Sequence, residues 1–337
     1  MRVLVTGDAG FIGFHVSRML LDAGHTVVGL DSMNPYYDVT LKERRLALLV
    51  DRPKFRHETL LLEDQPGVLR IFADFRPELV IHLAAQAGVR HSIDNPSAYI
   101  GANILGSFAI LEACRMHPVQ HLLLASTSSA YGANEKYPFV ETDNAIHPIT
   151  LYAATKGSME LMAHAYAHLF AIPTTAFRFF TVYGPWGRPD MAYYIFTRKI
   201  IAGEPIELFN NGKSWRDFTY IDDLANSILR LAACIPPAAD TRHDREAIPG
   251  DSLSPVAPYR LVNIGAGQPE ELTALVDHLE TALGIEAKRV LKPLPPGDVV
   301  RTFADANLLL ALTGSRPQTP LAIGIPEFVR WYRQNIN

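Results

Sequence analysis

Val3-Leu4-Val5-Thr6-Gly7-Asp8-Ala9-Gly10-Phe11-Ile12-Gly13 runs from a short β-rich apolar segment straight into a glycine turn. Helical spacing follows in Val16, Met19, Leu20 and Ala23, closed by Gly24, and a second apolar run from Thr26 to Leu30 ends at Asp31. Strand, glycine turn, helix and strand ending in an acid make the dinucleotide-binding unit. Its glycines admit a pyrophosphate close to the backbone, and the helix N-terminus faces that charge. The spacing here is G-x2-G-x2-G rather than G-x-G-x2-G. Asp31 is placed to bond the adenosine ribose hydroxyls and to repel a 2′-phosphate, which favours NAD over NADP.

The alternation continues outward from that unit. Leu79 to Ala85 reads as a buried strand, Ser97 to Cys114 as a helix, His121 to Ser126 as a strand, Leu151 to Phe170 as a helix and Thr174 to Val182 as a strand. The expected fold class is α/β, a Rossmann-type doubly wound parallel sheet with a smaller C-terminal α/β substrate-binding cap. Ligands in such sheets lie beyond the carboxyl ends of the strands. Those ends carry Gly7 to Gly13, Asp31, Ala84 to Arg90, Thr127 to Ser129 and Thr181 to Arg188, so remote segments are expected to meet in one crevice. Residues 1–184, with 213–235 and 259–266 returning to it, are assigned to the NAD-binding domain; 185–212 and 267–337 form the cap. Pro236 to Pro258 reads as an exposed excursion.

Tyr152 and Lys156 are four apart, so on the 151–170 helix they share one face. Such pairs are common on solvated helices, but here the pair falls beside the crevice. A neighbouring ammonium favours the phenolate and would draw the tyrosine towards the working range of a base.

Composition bounds the partners. The chain has 337 residues, 48% hydrophobic and 20% charged, with a net charge of -4. Without a basic run, nucleic acid and anionic membranes are not expected as partners. Cys114 and Cys234 are the only cysteines and have no metal-ligand spacing, so two reduced thiols and no metal site are expected. The glycine turn comes too early for a signal-peptide core and no apolar run approaches a membrane span, which points to the cytoplasm.

Gly7-x2-Gly10-Phe11-Ile12-Gly13, His82-Leu83-Ala84-Ala85-Gln86, Tyr152-x3-Lys156 and Arg216-Asp217-Phe218-Thr219-Tyr220-Ile221-Asp222-Asp223 together resemble the extended short-chain dehydrogenases/reductases (NAD-dependent epimerases/dehydratases) that act on nucleotide sugars. Within that family, Arg178 to Met191 is most similar to the UDP-glucuronate 4-epimerases. The resemblance implies a tightly bound NAD, a UDP-sugar acid as substrate, a homodimer built from paired core helices, and inversion at C4 through a 4-keto intermediate.

It also implies roles. Tyr152 would take the O4 proton, Thr127 would bond the same oxygen, and Lys156 would hold the nicotinamide ribose. Asn34, Leu83, Ala84, Ala85, Asn103 and Ser126 would join Gly7, Gly10, Phe11, Ile12, Gly13 and Asp31 around the cofactor. Ser128, Ser129, Thr181 and Arg188 would grip the substrate carboxylate, although a loop arginine can equally be a surface ion pair. Arg216 and Arg301 are candidates for the diphosphate or for surface pairs; Phe209 and Asp298 resemble positions near the uridine, and His82 is expected to be structural.

Sister activities predict other residues. The 4,6-dehydratases typically carry Thr-Asp-Glu where this chain has Thr127-Ser128-Ser129, and UDP-glucuronate decarboxylases usually place Glu at the position of Ser129. A neutral-sugar 4-epimerase or a decarboxylase is the alternative reading. One departure stands out: the third strand of the family ends in an Asp that meets the adenine, whereas Phe55 to Asp64 leaves that contact unassigned and opens the way to looser cofactor retention.

Overall fold

The computed structural model describes residues 1–238, 248–295 and 297–336. The N-terminal part alternates β1 (Arg2–Thr6), α1 (Phe11–Asp22), β2 (Thr26–Asp31), α2 (Val39–Val50), β3 (Phe55–Thr59), α3 (Gln65–Phe75) and β4 (Leu79–His82). Two short helical turns, α4 (His91–Asp94) and α5 (Pro96–Tyr99), lead through a π-helical turn at Ile100–Leu105 into α6 (Gly106–Met116). Next come β5 (His121–Thr127), α7 (Leu151–Phe170) and β6 (Thr174–Phe179).

With β10 (Tyr259–Ile264) added, these strands form a seven-stranded sheet, order β10-β6-β5-β4-β1-β2-β3. Every pairing in it is parallel. Strands buried along nearly their whole length need cover on both faces. One face packs Phe14, Val16 and Leu20 of α1 with Leu224, Ile228 and Leu231 of α9 (Ile221–Ala232). The other packs α3, α6 and α7 through Ile71, Phe72, Ile110, Leu111, Met159 and Ala163.

β7 (Thr181–Tyr183), α8 (Ala192–Ile201), β8 (Ile206–Leu208), β9 (Trp215–Tyr220), β11 (Pro269–Glu271), α10 (Leu272–Leu283), β12 (Arg289–Leu291) and β13 (Arg301–Thr302) build the smaller part, with α11 (Asn307–Thr313) and α12 (Leu321–Asn335) following. Strands β7, β11 and β13 all pair with β9, and β8 pairs with β12. Tyr193, Tyr194, Phe196, Leu275, Leu279, Phe328 and Trp331 fill this part's own core.

Four expectations need correction. The run Thr174–Val182 is not one strand: it breaks at Phe180, and β7 leaves the main sheet to pair with β9. Residues 215–220, expected with the NAD-binding domain, are the central strand of the smaller sheet, while α9 immediately after them returns to α1. Of the excursion, 239–247 lie outside the described residues; 248–258 fold back on β10, with Ser254 N–H donating to the Tyr259 carbonyl at 2.9 Å and Arg260 forking onto Asp251. Among the described residues one helix, Pro96–Met116, is long and apolar enough to cross a membrane, and half of it is buried inside the molecule.

Candidate active site

The carboxyl ends of β1, β2, β4, β5 and β6 open into one cleft of about 590 Å³, closed on the far side by Arg216 and Gly297–Val299 of the smaller part. Gly7 holds φ +78, and a Cβ on Gly13 would lie 2.0 Å from the Gly7 carbonyl oxygen. The turn therefore tolerates no side chain there, and it presents backbone alone at the N-terminus of α1. Asp31 ends β2 at the rim, its Oδ1 3.1 Å from Lys42 Nζ, and both side chains are buried. A glycine-lined helix N-terminus beside a rim carboxylate fits the diphosphate and ribose of a dinucleotide.

Tyr152 enters the cleft because Thr150 starts α7: its hydroxyl accepts the Ala153 N–H at 3.2 Å, which puts Tyr152 in the first turn. Lys156 follows one turn on, buried, with Nζ 3.5 Å from Met159 Sδ. Burial pushes Lys156 down to about 8, with Glu160 opposing. Burial pushes the Tyr152 phenol up, opposed by Thr127 and Arg188. Thr127 and the Arg188 guanidinium are the groups that favour the phenolate against this burial.

Beneath these residues Ser126 donates to Glu160, and Glu160 takes both Nε and Nη2 of Arg178 at 3.0 and 2.7 Å. Arg178 also covers the Tyr131 ring at 4.3 Å. This buried network holds the end of β5 against α7.

Gly7, Gly10, Phe11, Ile12, Gly13, Asp31, Asn34, Leu83, Ala84, Ala85, Ser126, Thr127, Ser128, Ser129, Tyr152, Lys156, Thr181, Arg188, Arg216 and Asp298 all line the cleft. Three expected residues do not. Asn103 is buried behind the wall: its amide donates to the Gln86 carbonyl and Thr155, and its oxygen accepts the Gln86 N–H. It comes from the π-helical turn and ties the loop after β4 to α7. Phe209 lies under the Arg90 guanidinium at 4.5 Å, and Arg301 stacks on Phe303, Trp215 and Tyr137 rather than facing the cleft.

Arg188 forks onto Asp190 through Nε and Nη2, at 3.0 and 2.5 Å, and Asp190 also accepts from Tyr36 at 3.1 Å. Arg216 lines the cleft while its Nη1 donates to the Trp215 and Val300 carbonyls. Asp217, the next residue, is fully buried; its carboxylate accepts the N–H groups of Ala266, Gly267 and Ala304 and so joins three separate chain segments. His82 is structural, its nitrogens meeting Thr6 and Ser107.

Sequence reading missed Tyr36, Lys42, Thr150 and Val299, all on the wall. Lys42 left a signal: Leu41, Lys42, Arg45 and Leu49 are the buried face of α2, so two cations sit at inward positions of an amphipathic helix. At the end of the cleft beyond Asp31 the wall is Leu60, Leu61 and Leu62 with Glu63, and Leu61 is 57% exposed.

Residues 3–238 match the model of the NAD dependent epimerase/dehydratase family. The chain is 55% identical over 335 residues to a probable UDP-glucuronate 4-epimerase of Rhizobium meliloti (strain 1021), covering 99% of this chain and 98% of that protein. It is 43% identical to UDP-glucuronate 4-epimerase 1 of Arabidopsis thaliana, covering 98% of this chain and 76% of the plant protein. The crystal structure of UDP-glucuronic acid 4-epimerase from Bacillus cereus with UDP-glucuronic acid and NAD superposes with a TM-score of 0.86 at 30% identity, over 99% of both chains.

Proposed function

The chain belongs to the NAD dependent epimerase/dehydratase family, and from that premise we propose that it inverts C4 of UDP-glucuronate to give UDP-galacturonate, reversibly. The observation that carries the reading is the meeting of Tyr152, Thr127 and Lys156 with the glycine turn in one cleft. NAD, when bound, supplies an acceptor for the C4 hydride and, once reduced, its donor.

The residues supply the proton chemistry and the grip. Tyr152 Oη takes the O4 proton as C4 is oxidised and returns it after the sugar has turned its other face. Thr127 and Arg188 favour the phenolate against the burial that opposes it. Lys156 keeps a cation at the cofactor wall, supported by Glu160.

The oxidised intermediate is a β-keto acid, prone to lose CO2. Hydroxyls at Ser128, Ser129 and Thr181 can donate to a carboxylate without repelling it. Asp190 occupies the Nε and Nη2 edge of Arg188, which leaves Nη1 for the substrate carboxylate. Arg216 serves the diphosphate. The partner is a second copy of the chain, docked on α6 and α7, where Phe108, Met116, Leu161 and Leu169 are exposed. The working compartment is the cytoplasm, where two free thiols persist.

The test is incubation of the purified protein with UDP-glucuronate, without added NAD, followed by NMR. UDP-galacturonate approaching equilibrium is expected, and Tyr152→Phe should slow it by roughly a hundredfold or more. A pentose product or a stable keto sugar would point to a sister activity instead.

A further inference from the structure

Two titratable side chains under the glycine turn have no part in that chemistry. Asp8 follows Gly7, yet it is fully buried and absent from the cleft wall. Its carboxylate fills the place of a side chain on β2: a Cβ on Gly29 would lie 2.0 Å from Asp8 Oδ2. Gly29 pairs in register with His57 of the edge strand β3. The bare backbone at 29 lets Asp8 reach across β2 to His57 Nδ1 at 2.8 Å. His57 Nε2 lies 3.1 Å from Thr59 Oγ1, and Asp8 Oδ1 has no hydrogen-bond partner among the described residues.

A buried carboxylate with one orphaned oxygen is costly unless a cation compensates it. This one stands inside the turn whose backbone faces the cofactor's two phosphates, where a bare negative charge repels the ligand through a poorly screened interior. We propose that His57 is a positioning residue for the cofactor: the proton it shares with Asp8 across Gly29 keeps the floor of the turn neutral, so the protein holds NAD on the acidic side and releases it faster once that proton is lost.

Burial opposes the His57 imidazolium, but the bond to Asp8 and the charges of Asp8, Asp31 and Glu58 together hold its pKa above the ordinary histidine value. Burial lifts the Asp8 carboxyl, with His57 pulling against it. The other charged groups facing the pair already have partners. Asp31 has Lys42 at 3.1 Å, Glu58 has Arg56 at 3.2 Å, and Arg45 of α2 donates to the Ala9 carbonyl at 3.1 Å. Among the charges packed against the turn, the ones that change with pH are therefore those of Asp8 and His57. Lys156, pushed down to about 8 by burial on the cofactor wall, titrates in the same range, and Asp8→Asn removes only the share that belongs to the pair. Because the folded pKa of His57 is raised, its contribution is complete below the ordinary histidine value and disappears as pH rises through the raised one. By linkage, a cofactor that favours the protonated pair is released as the pair deprotonates.

The proposal rests on NAD as cofactor and not on the sugar substrate. The test measures retention of NAD by the holoenzyme at about pH 6.5 and about pH 9, by quantifying nucleotide retained after gel filtration; one pKa unit of coupling predicts roughly tenfold weaker affinity at the higher pH, seen as greater loss of nucleotide. Asp8→Asn should keep only the smaller pH dependence that Lys156 imposes, His57→Gln should already release quickly at the lower pH, and the double variant should behave like Asp8→Asn. Equal release by the unmodified protein at the two pH values, or unchanged pH dependence in Asp8→Asn, overturns the proposal and leaves the cofactor reading intact. If His57→Gln fails to fold, Asp8→Asn still decides. Protein that carries no NAD under either condition overturns the cofactor reading and this proposal with it.

Discussion

Lys156 and Arg188 show how much chemistry depends on what surrounds a side chain. Sequence spacing put Tyr152 and Lys156 on one helix face, and that much was legible, because four residues fix a turn. It could not show that Lys156 is buried, or that Arg188, in a loop after β7, also favours the phenolate. Lys156, pushed down to about 8 by burial, loses its charge as pH rises, so kcat at saturating substrate should fall above that region. Lys156→Met should be slow at every pH; unmodified enzyme holding full kcat to about pH 10 would remove the ammonium from the mechanism. Arg188→Ala should raise KM for the acid sugar by about tenfold to a hundredfold, or add pentose by-product, since truncating one partner of a desolvated ion pair costs about 2 kcal/mol or more. Unchanged kinetics and no CO2 would confine Arg188 to its pair with Asp190.

Among the elements, β1, α1 and β2 were readable from local order: alternation, glycines and a terminal acid lie within about one unit of a parallel sheet. The break at Phe180 was not. Thr174 to Tyr183 is rich in β-branched and aromatic residues on both sides of the break, and only the pairing partner changes, from β5 and β10 to β9. The π-helical turn was equally silent, since one extra residue in a helical ring leaves little trace in composition. At this scale Asp217 is the fixed point, because its buried carboxylate serves three backbone donors from segments far apart in sequence. Asp217→Ala leaves those donors unpaired and should lower stability by about 3 kcal/mol or more, read by urea unfolding. A loss below about 1 kcal/mol would mean that water replaces the carboxylate.

For the molecule as a whole, the parallel main sheet was legible and the smaller one was not. Its strands are two to six residues long and drawn from four separate parts of the chain, too short for periodicity to mark. The surface carries one further consequence. Leu161 and Leu169 are 75% and 67% exposed on α7, a face that a second copy would cover. Leu161→Asp with Leu169→Asp should turn a dimer into a monomer in analytical ultracentrifugation; a dimer that persists would place the interface elsewhere.

The fate of the C4 hydride while Tyr152 holds the O4 proton distinguishes the proposed reaction from inversion by proton exchange. UDP-glucuronate deuterated at C4, turned over to equilibrium in ordinary water, is predicted to give UDP-galacturonate with the deuterium still at C4. Loss of the label to solvent would contradict the account, because it would mean that C4 is inverted by proton exchange and not by return of the same hydride.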